Sequence, residues 1–330
     1  MRTEVLQSCE SLIESREQIK MVFGWDNSLM HLTCAAIYVT KGQTADISVL
    51  EGCRQLIKEN VGLFNNFRGT GRSPIAAMLA TSENPKQTLD RGIQVYDLLK
   101  RDFSTSTYLP ITAMVIAQFA KPNQFEDVAT RTRVIYKRMR AEHPFLTSSE
   151  DSANCALLAL SDKSDDRLLN EMEACYQLLK PHFFSANAVQ SLSHILALGE
   201  GTPELLCNKT LDLLQALKTK GYNYGTTFEL PTLGVLAMSG RNIEELTMEM
   251  IEIDQWLSTQ KGFGFFSSIT KKQRLMYAGI LAQIENSNQG MIETNTINSA
   301  ISIIVAQEAA MCAMIAASGA AAASSSSSTS

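Results

Sequence analysis

Hydrophobic and polar positions along this chain follow a helical pattern that repeats about every 40 residues. Six segments share one run of small and aliphatic residues, and an aligned alanine marks each segment: Ala80, Ala117, Ala159, Ala197, Ala237 and Ala282. Successive anchors are 37, 42, 38, 40 and 45 residues apart, and a weaker copy places Val39 41 residues before the first. Self-similarity at this period is typical of stacked helical hairpins.

The stretches between the anchors predict longer, amphipathic helices. In one of them Leu89, Ile93 and Tyr96 recur at helical spacing, with charged and amide residues between them. Asn84 and Thr202 each precede a proline, which is a common arrangement at the start of a helix. Each unit is therefore predicted to contain a short helix across the anchor, a tight turn and a longer helix.

No segment alternates strictly between apolar and polar residues with hairpin turns, so we predict no β-sheet. The fold class expected is all-α, built from tandem αα-hairpin repeats of about 40 residues. Such an array either stays open as a curved solenoid or closes into an α/α toroid, and the sequence leaves both open. We expect one continuous domain over residues 1–318, with an N-terminal cap helix at 3–20 and seven hairpins.

The C-terminal part predicts an apolar final helix over residues 297–317, followed by a disordered Ala/Ser tail over residues 319–330. The helix is long enough to span a bilayer. It is rich in alanine, has Glu308 near its middle and lacks flanking lysine or arginine, all of which disfavour a membrane span. We therefore favour a packed last helix, and membrane association through 297–317 is the alternative.

Composition narrows the classes of function. The chain has 330 residues, is 45% hydrophobic and carries a formal net charge of -5. It can bury a large core, and it lacks the basic surplus of a nucleic-acid binder that coats phosphates. Seven cysteines occur singly and the N-terminus shows no secretory signal, which predicts a cytoplasmic protein with reduced thiols. The four histidines are isolated in the sequence, so we expect neither a metal site nor a cofactor.

The connections that follow the longer helices are rich in aromatic residues, holding 13 of the 21 phenylalanines and tyrosines. All of these connections should lie at one end of a hairpin array, so the rings either form a recognition surface or fill gaps between neighbouring hairpins. The candidate binding residues among them are Phe67, Tyr108, Tyr222, Tyr224, Phe263, Phe265 and Phe266.

Two basic segments are further candidates for binding. Residues 67–72 read FRGTGR, which lacks the Lys-Ser/Thr of a phosphate loop. Arg68 and Arg72 are candidate ligands for an anion at the helix that starts near Pro74, or residues of a solvated loop. Residues 131–140 hold five basic side chains on one helix, which indicates a solvated face, an acidic partner or anionic lipid head groups.

Four carboxylates lie in or beside the aromatic connections: Asp102, Glu150, Asp151 and Glu229. In a closed array, carboxylates from different units would face one another across a cavity, as an inverting sugar hydrolase requires. The chain contains no Ser or Cys nucleophile motif such as GxSxG. No catalytic residue is assigned on this basis.

Three strings of the sequence are similar to one known family. KENVGLFNNFRG (58–69), STYLPITAMVIA (106–117) and HPFLTSSEDSANCALLALSDK (143–163) resemble an uncharacterised bacterial family, the domain of unknown function numbered four thousand and three. The likeness covers nearly the whole chain. It implies a bacterial, cytoplasmic protein and brings no activity, cofactor or catalytic residue.

Two functions remain open from the sequence. The favoured one is a non-catalytic binding or scaffold protein that holds a protein or peptide partner on its aromatic connections. The alternative is an α/α-toroid enzyme that acts on a glycan or isoprenoid-like substrate with its loop carboxylates.

Overall fold

A computed structural model describes residues 1–63, 65–264 and 267–284. Over these residues the chain is all-helical and contains no β-strand, which confirms the predicted all-α class. Fourteen α-helices lie in the described residues, and helices of 14–20 residues, called long here, alternate with helices of 9–14 residues, called short. The long helices are α1 (Thr3–Val22), α3 (Ile47–Asn60), α5 (Pro85–Leu99), α7 (Phe125–Glu142), α9 (Asp165–Leu179), α11 (Pro203–Thr219) and α13 (Ile243–Ser258). The short helices are α2 (Ser28–Val39), α4 (Arg72–Ala80), α6 (Leu109–Phe119), α8 (Ser152–Leu160), α10 (Ala186–Leu198), α12 (Leu230–Met238) and α14 (Lys271–Ile284).

The short helices form the interior. Every residue is buried over 109–117 in α6, over 152–159 in α8 and over 230–237 in α12. A helix buried around its whole circumference has protein on all sides. All six anchor alanines lie near the C-terminal ends of short helices, where small side chains permit close helix packing. Gly234 of α12 shows how close this packing is, because a Cβ there would lie 2.5 Å from Leu192 Cδ1 of α10.

The long helices are amphipathic and cover this interior. Their starts are capped as the sequence predicted: Asn84 accepts a hydrogen bond from the Gln87 amide at 3.0 Å, and Thr202 accepts one from the Leu205 amide at 3.3 Å. The helix predicted at 3–20 is present as α1, and it packs on α2 and α3 like the other long helices. Its role as an N-terminal cap stays a prediction.

Packing follows a regular order along the chain. Each long helix packs most extensively on the short helix that follows it, so the packed hairpin is long-then-short rather than the short-then-long unit inferred from the sequence. Each short helix contacts the next short helix, from α2 through to α14.

The last described helix returns to the first two. Helix α14 contacts both α1 and α2, and the hydroxyls of Thr33 and Tyr277 share a hydrogen bond of 2.7 Å between α2 and α14. Arg2 Nη2 lies 2.7 Å from Glu249 Oε1 of α13 in a salt bridge. Both ends of the described chain therefore share one packed core.

Two predictions concern the C-terminal part of the chain. The apolar segment 297–317 and the tail 319–330 lie outside the described residues. Among the helices that are described, none combines the length and apolarity that crossing a membrane requires.

Candidate functional site

The end of the molecule at which the long helices stop holds seven connections, each leading to the next short helix. We call these connections, together with the last turn of each long helix, the rim. The connections are residues 23–27, 61–71, 100–108, 143–151, 180–185, 220–229 and 259–270. Neighbouring connections touch where Asn66 Nδ2 donates to the Ser106 carbonyl at 2.8 Å. Arg16 Nη2 of α1 donates to the Lys261 carbonyl at 2.7 Å, and this contact joins α1 to the connection after α13.

One aromatic contact recurs around the rim. A ring from a connection packs against a tyrosine of the next long helix. The pairs are Phe67 with Tyr96 at 5.3 Å between ring centroids, Phe103 with Tyr136 at 5.1 Å, and His143 with Tyr176 at 4.7 Å. Such pairs contribute about 0.5–1.5 kcal/mol beyond the area they bury. These rings fill the gaps between hairpins, which was one of the two interpretations left open by the sequence.

Three of the predicted binding residues are interior. Phe67 and Phe263 are fully buried, and Tyr224 is 3% exposed. The guanidinium of Arg16 lies 4.8 Å from the centre of the Phe263 ring. These three side chains present no surface to a partner in this structure, so we leave them out of the proposal below. Phe265 and Phe266 lie outside the described residues.

The other four predicted residues are half-buried. Tyr108 packs on the core, and the Tyr222 hydroxyl accepts a hydrogen bond from Gln255 at 3.1 Å. Arg68 donates to the Lys58 carbonyl, and the Arg72 guanidinium lies 5.6 Å from the centre of the Phe23 ring. Each side chain has a structural contact, and a binding role for them stays a prediction.

The most exposed apolar side chains of the described chain lie at the rim. They are Phe184 (106% exposed), Trp25 (101%), Phe145 (99%), Leu63 (74%) and Met21 (72%). Large apolar side chains elsewhere in the described residues reach at most 48%. Three rings and two aliphatic side chains are thus exposed at the rim, whereas the described chain otherwise buries most of its large apolar residues, which favours an interaction surface there.

An exposed basic residue precedes four of these apolar residues by four or five positions. The pairs are Lys20 with Trp25, Lys58 with Leu63, Arg140 with Phe145, and Lys180 with Phe184. Each cation lies in the last turn of a long helix or directly after it, where the helix dipole stabilises positive charge. Within the described part of the chain none of the four forms a salt bridge, and the Lys180 ammonium lies 5.7 Å from the centre of the Tyr176 ring.

The loop carboxylates of the enzyme hypothesis have local partners. Asp102 pairs with Arg133 at 2.5 Å, and Asp151 accepts from the Ser148 amide at 2.7 Å. Burial raises the pKa of Asp151 to about 7. Glu229 is buried and accepts from the Thr227 hydroxyl at 2.7 Å, whereas Glu150 is half-buried in the connection that holds Asp151. Asp151 and Glu229 therefore stabilise their own connections, and Asp102 ties its connection to α7.

A small cavity lies between α7, α9 and α10, beside the rim. Its lining includes His143, Glu173, Tyr176, Gln190 and His194, and its volume, measured as space open to the centre of a water molecule, is about 10 Å³. His143 Nε2 is 2.7 Å from Glu173 Oε2. Burial, with a smaller contribution from His143, lowers the pKa of His194 to about 3. The volume is that of about one water molecule, which is too small for an organic substrate.

Sequence reasoning missed two features of this region. Trp25 was not among the predicted residues, and the signal that could have found it is weak: a basic residue lies five positions before it, as Lys58 does before Leu63 and Arg140 before Phe145. His143 and His194 meet at one cavity despite lying 51 positions apart, and no spacing rule connects them. Across the described residues, no group of three or more His, Cys, Asp or Glu is arranged to hold a metal ion.

Comparison with known proteins gives one match. A family model described as "Protein of unknown function (DUF4003)" matches residues 16–310. Neither the curated proteins nor the solved structures contain a match.

Proposed function

The chain belongs to the DUF4003 family of proteins of unknown function, and we propose from its geometry that it is a non-catalytic binding or scaffold protein whose docking surface is the rim. The observation that carries this proposal is the concentration of the five most exposed apolar side chains at one end of the molecule. Exposing them to water is unfavourable, so their joint exposure at one end favours a role in contact with a partner. The protein or peptide partner expected from the sequence stays a prediction.

The proposal includes the shape of the array, which we propose to be a closed α/α toroid of seven hairpins. Support comes from the contacts of α14 with α1 and α2. It also comes from a repeated relationship between successive long helices. The end of one lies beside the middle of the next, as His143 does beside Glu173 of α9 and as the Val22 carbonyl does beside Arg54 of α3. The same relationship holds between α13 and α1. Arg2, before the start of α1, bonds to Glu249 in the middle of α13, and Arg16 of α1 bonds to the carbonyl of Lys261, just after the end of α13.

A closed ring would also suit the alternative, a toroidal enzyme acting on a glycan or isoprenoid-like substrate. That function needs two carboxylates facing each other in a deep pocket. Residues 109–117, 152–159 and 230–237 of the short helices α6, α8 and α12 are all buried. Asp102 pairs with Arg133 of α7, and Asp151 and Glu229 are bound by groups of their own connections. The binding function is therefore the one the geometry supports best.

Site-specific photo-crosslinking tests the proposal. Phe145 or Phe184 is replaced by p-benzoylphenylalanine in cells that produce the protein, and Leu205, which is exposed in the first turn of α11, serves as the matched position away from the rim. We expect adducts with a partner molecule from both rim positions and a much lower yield from position 205. Equal yields from the rim and from position 205 would contradict a docking function for the rim.

A further inference from the structure

We propose that the rim docks on the surface of an anionic lipid bilayer. This inference rests on the proposed function, because it names the partner of the same surface. It differs from the membrane association considered for segment 297–317, because the described rim alone supplies the contacts.

The chemistry of the rim suits the boundary between lipid head groups and acyl chains. Tryptophan and phenylalanine side chains partition into this boundary, and lysine and arginine beside them bind lipid phosphates. Each pair, such as Lys20 with Trp25 or Lys180 with Phe184, supplies one group of each kind within five residues. The four cations form no salt bridge within the described chain. Each can therefore bind a lipid phosphate without first breaking a salt bridge.

The layout of the rim favours a broad surface over a single peptide. The exposed apolar residues come from four connections, those after α1, α3, α7 and α9. A peptide lying on one or two connections would leave the others exposed. In the part of the chain that the structure describes, the short helices fill the interior beneath the rim with buried residues. A bilayer surface is able to contact all four connections together.

Docking through the rim requires that acidic residues lie mainly at the end of the molecule away from the membrane. The whole chain carries a formal charge of -5, which by itself opposes an anionic surface. Five long helices have acidic residues in their first turns, at the end away from the rim: α1, α7, α9, α11 and α13. Four long helices have a basic residue in their last turn, at the rim: Lys20, Lys58, Arg140 and Lys218.

Not all rim charges are positive. Asp102 is neutralised by Arg133, and Asp151 and Glu229 are buried. Glu59 and Glu142 are exposed beside Lys58 and Arg140, and Asp26 is half-buried beside Trp25, so carboxylates reduce the attraction at the connections after α1, α3 and α7. The connection after α9, which carries Phe184 and contains no acidic residue, should therefore contribute most.

Vesicle flotation of the full chain tests this inference. The vesicles contain phosphatidylcholine alone or phosphatidylcholine with an equal part of phosphatidylglycerol. We expect binding to the anionic vesicles only, and weaker binding at high salt. The triple variant Trp25→Ser/Phe145→Ser/Phe184→Ser should bind about tenfold less, because its rings no longer enter the head-group region. Lys20→Gln/Lys180→Gln should also reduce binding, since it removes two of the cations that attract the surface.

Matched variants at other sites serve as controls. Leu205→Ser/Met248→Ser removes two exposed apolar side chains away from the rim, and Lys41→Gln/Lys121→Gln removes two exposed cations at the opposite end. Both should bind like the wild type. In a Trp256→Phe background, Trp25 fluorescence should shift to shorter wavelength when anionic vesicles are added.

Two results would overturn the inference: no binding of the wild type to anionic vesicles, or equal binding by the rim variants and the wild type. The second would locate the lipid contact elsewhere in the chain, for example in segment 297–317. If vesicles fail to bind while position 145 crosslinks to a protein, the rim is a protein-docking surface. The proposed function would then stand and the lipid inference would fail.

Discussion

Phe67 and Phe145 both lie in connections that follow a long helix, yet their surroundings are opposite. Phe67 is fully buried with its ring edge on Tyr96, whereas Phe145 is 99% exposed. The difference arises because His143 occupies the place against Tyr176 in its own connection. Phe145, two residues further on, therefore has no gap to fill. Residue type and position in a loop do not distinguish the two phenylalanines, but the packing does.

We predict that Phe67→Ala lowers the free energy of unfolding by about 3–5 kcal/mol, because a fully buried ring is lost and a cavity remains. Phe145→Ala should change it by less than about 0.5 kcal/mol, because an exposed side chain contributes little packing. Urea denaturation monitored by circular dichroism measures both. Equal losses of stability would show that the two rings do not differ in burial.

The pKa of His194 predicts a loss of stability in acid. It is lowered to about 3 by burial and by His143, against about 6.5 in the unfolded chain. The unfolded state therefore binds more protons between these values. The contribution of the neutral ring is complete above pH 6.5 and is lost as the pH falls toward 3. Between pH 7 and 5, the wild type should lose about 2 kcal/mol of stability through this residue.

Comparing His194→Leu with the wild type at pH 7 and pH 5 by urea denaturation isolates this effect. The variant should lose less stability than the wild type on acidification. His182→Gln is the control, because His182 is exposed and should leave the acid sensitivity unchanged. If His194→Leu retained the full acid sensitivity of the wild type, protonation of His194 would not be its cause.

At the scale of the element, helix α7 shows how one basic segment divides into two roles. Arg131 is directed to the turn between α8 and α9, where Nε pairs with Asp165 at 2.7 Å and the guanidinium donates to the carbonyls of Ala159, Ser161 and Lys163. Arg138 pairs with Asp166, whose side chain is 81% exposed. One arginine therefore holds two hairpins together, whereas the other belongs to a solvated face.

We predict that Arg131→Met lowers the free energy of unfolding by about 2–3 kcal/mol, since charge-assisted hydrogen bonds to backbone carbonyls are lost. Arg138→Met should cost less than about 1 kcal/mol, because an exposed ion pair contributes little. Thermal or urea unfolding of the two variants measures both losses of stability. A larger effect at Arg138 would contradict these assignments.

At the scale of the whole molecule, the proposed closure of the array decides how its two ends behave. In an open solenoid, terminal repeats have one neighbour and open more easily. In a closed ring every hairpin has two neighbours. Here α1 packs against α2, α3 and α14, so the first hairpin has partners on both sides.

Hydrogen–deuterium exchange should therefore show amide protection in α1 and α14 comparable to that in α6 and α8. The physical reason is that the first and last hairpins share a core and open only when the ring opens. Exchange that is faster by orders of magnitude in α1 and α14 than in α6 and α8 would indicate an open array. Tyr277→Phe, which removes the hydroxyl that contacts Thr33 between α2 and α14, should accelerate exchange at both ends together.

The sequence by itself determined the helical class, the spacing of the anchors, the caps at Asn84 and Thr202, and the position of the aromatic connections. These follow from local rules, because periodicity, capping and the limits on proline act over a few residues. Only the tertiary structure decided which rings are buried, that α14 meets α1 and α2, and that His143 and His194 share a cavity. Those outcomes depend on packing between residues that are far apart in the sequence, and a local sequence pattern contains no information about such contacts.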